Sequence, residues 1–204
     1  MAVPLLAVDS KEFSSQSLRL ESLLISISVL PPNHRKLVAE IALVRLFLLV
    51  QNTIRSISAK ILCGASYCDS SEPKCLVRSR TIRGAYDLMR SHSRSTPKKR
   101  LSWGESSEIR DNLELTLSET DPFFVTVMNH GTLLVDMRYI RNHIVHYNDT
   151  TLSHFRKMVR KHYGGLKQGI TPGLLLLTTK LGTKPLLQQY LIESRVLIKS
   201  LVRG

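Results

Sequence analysis

The chain has 204 residues, of which 43% are hydrophobic, so it is long enough to bury a substantial core and is not a disordered tail. Its 29 Lys and Arg residues against 16 Asp and Glu residues give a formal net charge of +13, which attracts polyanions before any specific contact forms. Nucleic acid is therefore the leading partner and an anionic membrane the second, while a charge that only aids solubility remains open.

The amino end and the longest apolar stretch both bear on localisation. Met1 to Val8 is apolar but short, and charged residues follow at once, unlike a signal peptide. Val38 to Val50 contains Glu40 and Arg45 and is too short to span a bilayer. We therefore expect a cytoplasmic protein without membrane association.

Helical periodicity runs through nearly the whole chain, and no segment shows sustained strand alternation. It predicts a first helix from Ser10 to about Val29 and a long second helix from Asn33 to about Leu62, separated by two prolines. Apolar residues nearly encircle the second helix, which favours the buried centre of a bundle. These apolar residues include Leu37, Val38, Ile41, Val44 and Leu48.

The middle of the chain predicts a loop from Gly64 to Lys74, a basic helix from Cys75 to about Arg90, and a helix from Glu105 to Leu117. Between the last two lies a polar, cationic, turn-prone segment from His92 to Gly104. It is either a solvated linker or an RNA-contacting loop in which Trp103 is a stacking group.

The carboxyl-terminal half begins with Asp121-Pro122, an N-cap followed by proline at the first helical position, and predicts a helix to about Tyr147. The next helix starts at Asp149 or Thr150 and ends at Gly164-Gly165. A helical extension from about residue 171 contains a short apolar helix after Thr171-Pro172 and a terminal helix after Lys184-Pro185. The predicted fold class is all-α, a helical bundle in which residues 1–204 form a single domain.

The segment from Leu133 to Tyr147 contains neither Gly nor Pro, which favours an unbroken helix. Its core stripe comprises Leu133, Met137, Ile140 and Ile144, and an adjacent face carries Arg138, Arg141, Asn142 and Val145. At ~100° per residue, His146 lies ~40° beyond Asn142, whereas His143 points away. We therefore expect the side chains of Asn142 and His146 to be neighbours, with Arg141 at the edge of the same face.

This combination of side chains suits chemistry on a phosphodiester. Arg141 can neutralise a phosphate with several fixed hydrogen bonds, and His146 can move a proton near neutral pH. One helix leaves the face incomplete, but two copies related by a twofold axis would supply two arginines and two histidines. The alternative is structural: Arg141 pairs with an acidic residue such as Asp136, and His146 ends the helix as a partial cation.

The ten residues from Met137 to His146 resemble the signature of HEPN domains, R-x4-6-H with a polar residue, commonly asparagine, after the arginine. The resemblance extends from Asp121 to Tyr163, and elsewhere only through helical character. The larger bacterial HEPN branches, such as the RiboL-PSP-HEPN type, are the most similar in length. In one toxin branch a tyrosine follows two places after the histidine, whereas here Tyr147 follows His146 immediately.

The resemblance implies a helical bundle that dimerises through the motif helix and a metal-independent endoribonuclease that needs no cofactor. By motif position, Arg141 would stabilise the pentacoordinate phosphate, His146 would transfer protons and Asn142 would orient the site. Attack by the ribose 2′-hydroxyl would leave a 2′,3′-cyclic phosphate. The resemblance further implies a toxin or effector of a bacterial defence or toxin–antitoxin system, restrained by an antitoxin or regulatory partner.

Two other functions remain open: a non-catalytic HEPN module that binds RNA or protein, and a membrane-surface or scaffolding bundle. Basic and aromatic residues near the motif are candidates for RNA contacts, although a solvated helix face is as good an account of those on the following helix. These candidates are Arg138, Tyr147, Arg156, Lys157, Arg160 and Lys161. No metal site is expected, because the three cysteines lack zinc-binding spacing.

Overall fold

The computed structural model describes residues 4–91, 100–179 and 184–204. Across these ranges the regular structure is helical, apart from a short 3₁₀ turn at Ile27–Val29 and two isolated β-bridges, which confirms the all-α prediction. The helices are α1 Leu6–Ser26, α2 Pro32–Leu62, α3 Ile82–Ser91, α4 Ser106–Leu113, α5 Pro122–Asn129, α6 Gly131–Val145, α7 Asp149–Tyr163, α8 Pro172–Leu177 and α9 Leu186–Arg203.

Helix α1 begins at Leu6, four residues before the predicted cap. Leu6 is buried in the core, and the preceding residue, Leu5, provides no side-chain cap. Tertiary packing therefore extends the helix beyond its local start signal at Ser10.

Helix α2 is the central element and packs against α1, α3, α6, α8 and α9. The prediction of a buried ring is only partly correct, because Leu37, Ile41 and Leu48 are 55%, 55% and 44% exposed. By length and composition alone α2 could cross a membrane, since the helix has 31 residues and its most apolar window has a mean hydropathy of 1.7. The length argument made for Val38 to Val50 is therefore wrong. In the most apolar window of α2, however, 44% is buried inside the protein.

Two of the middle helices are shorter than predicted. Residues 75–81 are not helical, because the Leu76 amide donates to the Thr116 carbonyl (2.9 Å) and Cys75 pairs with Leu117 in a β-bridge. The same pairing ends α4 at Leu113 rather than Leu117. Long-range backbone contacts thus replace the predicted first turns of α3 and the predicted last turn of α4.

The predicted continuous helix from Asp121 to Tyr147 is interrupted. Asp121 caps α5 as expected, accepting a hydrogen bond from the Phe123 amide, but the chain turns at His130 and α6 begins at Gly131. Helix α5 packs against α9, whereas α6 packs against α2 and α7. The break lets the two halves of the predicted helix bury different faces.

The carboxyl-terminal helices begin and end as their sequence signals predict. Gly164 ends α7 in the left-handed conformation with φ of 75°, and Thr171 caps α8. Helix α9 buries nine residues and packs against α1 and α2, so it is an integral part of the core. Helix α8 approaches α2 closely, and the Gly173 amide donates to Glu40 (2.8 Å).

Candidate functional site

The motif lies at the carboxyl end of α6, and its histidine lies just outside the helix. His146 is the C-cap residue, with φ of −129° and ψ of 86°, and its amide donates to the Asn142 carbonyl (2.7 Å). Just beyond the end of the helix, the Thr151 hydroxyl at the start of α7 donates to the His146 carbonyl (2.5 Å). His146 therefore lies at the very end of the last helical turn, and its side chain is exposed. The expected alignment of the Asn142 and His146 side chains stays a prediction.

Arg141 is half-buried and points toward α2. Its Nη1 donates to Oδ1 of Asn142 (2.9 Å), and its guanidinium carbon lies 5.8 Å from the centre of the Phe47 ring. Its Nε atom is buried without a hydrogen-bond acceptor. The alternative pairing with Asp136 does not occur, because that carboxylate binds Lys161 (2.5 Å).

Arg141 and Asn142 line a cleft of about 560 Å³ between α2, α3, α6 and residues 100–104. Arginines dominate the lining, and amide side chains and aromatic rings fill the spaces between them. The arginines are Arg55, Arg90, Arg100, Arg138 and Arg141. We call this feature the arginine cleft.

Only some of these arginines are neutralised by carboxylates. Arg138 forms ion pairs with Glu105 (3.0 Å) and Glu108 (2.8 Å), and Arg90 lies 3.6 Å from the exposed Asp87. The other three, Arg55, Arg100 and Arg141, form no ion pair with any carboxylate in the described part of the chain. The cleft therefore has an excess of positive charge.

Glu108 fixes the wall that carries Arg100. Its Oε2 atom accepts hydrogen bonds from the Ser102 hydroxyl (2.7 Å) and the Gly104 amide (3.0 Å). Burial on its own raises the pKa of this carboxyl, but the Ser102 hydroxyl, the Arg138 charge and the Gly104 amide outweigh burial and lower the pKa. Glu108 is therefore held as a carboxylate that anchors this segment.

Of the cationic segment from His92 to Gly104, the structure describes residues 100–104. Residues 92–99 lie outside the described residues. Trp103 is only 5% exposed, so its indole is packed rather than available for stacking on a base.

His143, which the sequence places away from Asn142 and His146, packs against α7. Its ring stacks on Phe155 with 4.7 Å between ring centres, and the exposed Tyr147 ring is tilted against it at 5.1 Å. Burial lowers the pKa of His143, which favours the neutral imidazole. This histidine is a packing residue.

The structure brings together only part of the predicted site. Arg138, Arg141 and Asn142 share the arginine cleft, whereas His146 is not among its described lining residues. The remaining predicted RNA contacts are exposed residues outside the lining of the cleft in the described part of the chain. They are Tyr147, Arg156, Lys157, Arg160 and Lys161.

Sequence reasoning missed the arginines that face the motif helix across the cleft. Arg55, Arg90 and Arg100 come from α2, α3 and the segment before α4, and no spacing in the sequence connects them. The available signal was Arg55 itself, a cation in the second half of a largely apolar helix.

Within the described ranges, no group of three His, Cys, Asp or Glu side chains is placed to hold a metal ion. Comparisons of the chain with family models, with curated proteins and with solved structures gave no match. The likeness to HEPN domains therefore depends on the motif from Met137 to His146.

Proposed function

We propose that this protein is a metal-independent endoribonuclease of the HEPN type, active as a homodimer. The observation that carries the proposal is Arg141, a half-buried guanidinium that has a buried Nε without an acceptor and no carboxylate partner in the described chain. A half-buried cation without a counter-ion is destabilising, and a phosphate group would supply both the missing charge and the missing acceptor. An exposed histidine follows five residues later.

The chemistry requires no metal ion. A base removes the proton of a ribose 2′-hydroxyl, whose oxygen attacks the adjacent phosphorus. The new P–O2′ bond forms as the P–O5′ bond breaks, and an acid protonates the departing 5′-oxygen. Arg141 offsets the charge on the pentacoordinate phosphate, His146 transfers protons, and Asn142 holds the guanidinium through its Oδ1 atom. The product is a 2′,3′-cyclic phosphate.

A second copy completes the site in this proposal. Arg141 faces the arginine cleft, whereas His146 lies about 7.5 Å further along the helix direction, past the end of α6. We propose that Arg141 of one copy acts with His146 of the other across a twofold axis. Val145 and Tyr147, which are 45% and 82% exposed, provide apolar surface beside the histidine for this contact.

The biological role follows from the same proposal. An RNA-cleaving dimer is harmful to its own cell unless it is restrained, so we propose a cytoplasmic toxin or effector of a bacterial defence or toxin–antitoxin system. An antitoxin or regulatory protein would be its partner. The exposed cations Arg156, Lys157 and Arg160 on α7 are proposed to hold the flanking RNA backbone.

The alternative is a non-catalytic HEPN module that binds RNA or protein. One observation favours it: the arginine cleft forms within a single copy and does not include His146 among its lining residues. Such a module would bind RNA and leave it intact.

Purified protein incubated with total RNA in EDTA distinguishes these two functions. The proposal expects cleavage products that end in 2′,3′-cyclic phosphate, and a loss of at least about 100-fold in rate for His146→Ala. His143→Phe is the matched control, because His143 packs against α7 and takes no part in the chemistry. Intact RNA with the wild-type protein, or equal cleavage by His146→Ala, would contradict the proposal.

A further inference from the structure

The arginine cleft collects positive charge from separate elements around one space. Arg55 comes from α2, Arg90 from α3, Arg100 from the segment before α4, and Arg141 from α6. A groove that follows a nucleic-acid strand carries its cations along a line, spaced with the phosphates. Here arginines from separate elements line a space of about 560 Å³, the size of a small-molecule site.

The environments of Arg55 and Arg141 leave hydrogen-bond donors for a ligand. The Arg55 guanidinium lies 4.5 Å from the centre of the Tyr86 ring, which orients it without neutralising its charge. Arg141 rests near Phe47 and has used one of its donors on Asn142. Planar guanidinium groups held in this way donate paired hydrogen bonds to phosphate oxygens.

Two further features fit a ligand with several charges close together. Glu105 and Glu108 both form ion pairs with Arg138. They therefore do not offset the charges of Arg55 and Arg141. The amide side chains of Gln51 and Asn52 line the same space and can bind hydroxyl groups or a ring edge.

From this grouping of arginines we propose that the arginine cleft binds a compact oligophosphate, a ligand with two or more phosphate groups in succession. A nucleoside triphosphate and an inorganic polyphosphate share this chemistry. This proposal does not depend on RNA cleavage, because it requires one copy of the chain and does not involve His146, although Arg141 and Asn142 belong to both proposed sites.

Isothermal titration calorimetry at physiological ionic strength tests the proposal with sodium tripolyphosphate, ATP, AMP and inorganic phosphate as probes. We expect one site per chain for tripolyphosphate and ATP, and affinity at least about tenfold weaker for AMP and inorganic phosphate, because fewer charged hydrogen bonds form. Tighter binding of ATP than of tripolyphosphate would assign the site to a nucleotide, and equal binding would assign it to the phosphate chain. Inorganic phosphate binding as tightly as tripolyphosphate would overturn the proposal.

Matched variants separate the cleft from general electrostatic attraction. Arg55→Gln should weaken tripolyphosphate binding by about tenfold, whereas Arg156→Gln, which removes the same charge from α7, should leave it within about twofold. Equal losses in the two variants would contradict a specific site. A short 2′-O-methyl oligoribonucleotide provides a further comparison. If it binds as tightly as tripolyphosphate and its binding depends equally on Arg55, the cleft is a groove for a nucleic-acid strand and the proposal is overturned. That result would not contradict the proposed nuclease.

Discussion

At the scale of single residues, Asp121 connects three parts of the chain. Its carboxylate accepts hydrogen bonds from the Tyr67 hydroxyl, the Lys74 amide (2.8 Å) and the Phe123 amide (2.9 Å). Burial, together with the hydrogen bond to Asp121, raises the pKa of Tyr67 far above its usual range, which keeps the phenol protonated as a donor. This buried carboxylate therefore joins α5 to the loop after α2.

Replacing Asp121 by alanine should lower the free energy of unfolding by about 3 kcal/mol, since it removes a helix cap and leaves buried donors unsatisfied. Urea denaturation followed by circular dichroism measures this loss. Asp121→Asn is the matched control and should lose less, because the amide retains one acceptor oxygen. A change below about 0.5 kcal/mol in Asp121→Ala would contradict the role given to this carboxylate.

His143 predicts a pH dependence of stability. Burial lowers the pKa of His143 from its ordinary value of 6.5, so the unfolded chain binds a proton at a higher pH than the folded chain does. The neutral imidazole therefore stabilises the fold above about pH 6.5, and this contribution is lost as the pH falls through the lowered pKa.

Thermal midpoints measured between neutral and mildly acidic pH should fall for the wild-type protein and fall less for His143→Phe, which keeps the stacked ring on Phe155. His130, whose pKa is also lowered by burial, contributes with the same sign, so part of the dependence should remain. An identical pH profile in the variant would show that His143 does not contribute.

At the scale of elements, the contact between α2 and α8 depends on a glycine. A Cβ atom placed on Gly173 would lie 2.5 Å from the Lys36 carbonyl oxygen, which belongs to the backbone and cannot rotate away. The short helix α8 can lie against α2 only because residue 173 lacks a side chain.

Gly173→Ala should therefore destabilise the protein by about 1–3 kcal/mol through overpacking. Gly165→Ala is the control, since a Cβ there meets no atom within 4 Å. Chemical denaturation of both variants gives the comparison. Equal stability of the two would mean that α8 shifts away from α2 without penalty.

Helix boundaries were predictable where a local signal exists and no distant contact overrides it. Asp121-Pro122, Thr171-Pro172 and Gly164 act through their own backbone geometry, and each boundary is confirmed. The end of α6 at Val145 lies two residues before the predicted end at about Tyr147. The break between α5 and α6 at His130 was not predictable in this way, because no proline or cap residue marks it.

At the scale of the whole molecule, sequence identified Arg138, Arg141 and Asn142 but not the arginines that face them. Periodicity reports which face of a helix is buried, but it carries no information on which distant element covers that face. Arg55 and Arg100 are brought together by the packing of α2 with α3 and of α4 with α6. Their proximity therefore results from the fold and not from a local sequence pattern.

The separation of Arg141 from His146 within one copy makes the dimer the central claim. Arg141→Ala and His146→Ala should each be inactive alone. When the two variants are mixed in equal amounts and allowed to exchange subunits, half of the dimers carry one copy of each, and one of their two sites has both intact residues. A site built within a single copy would regain no activity from such mixing.

Mixing the two inactive variants is therefore the most direct measurement, with RNA cleavage in EDTA as the readout. The proposed shared site predicts that the mixture regains about a quarter of the wild-type rate. Activity in the mixture no higher than in either variant alone, with subunit exchange verified, would contradict a site built from Arg141 of one copy and His146 of the other.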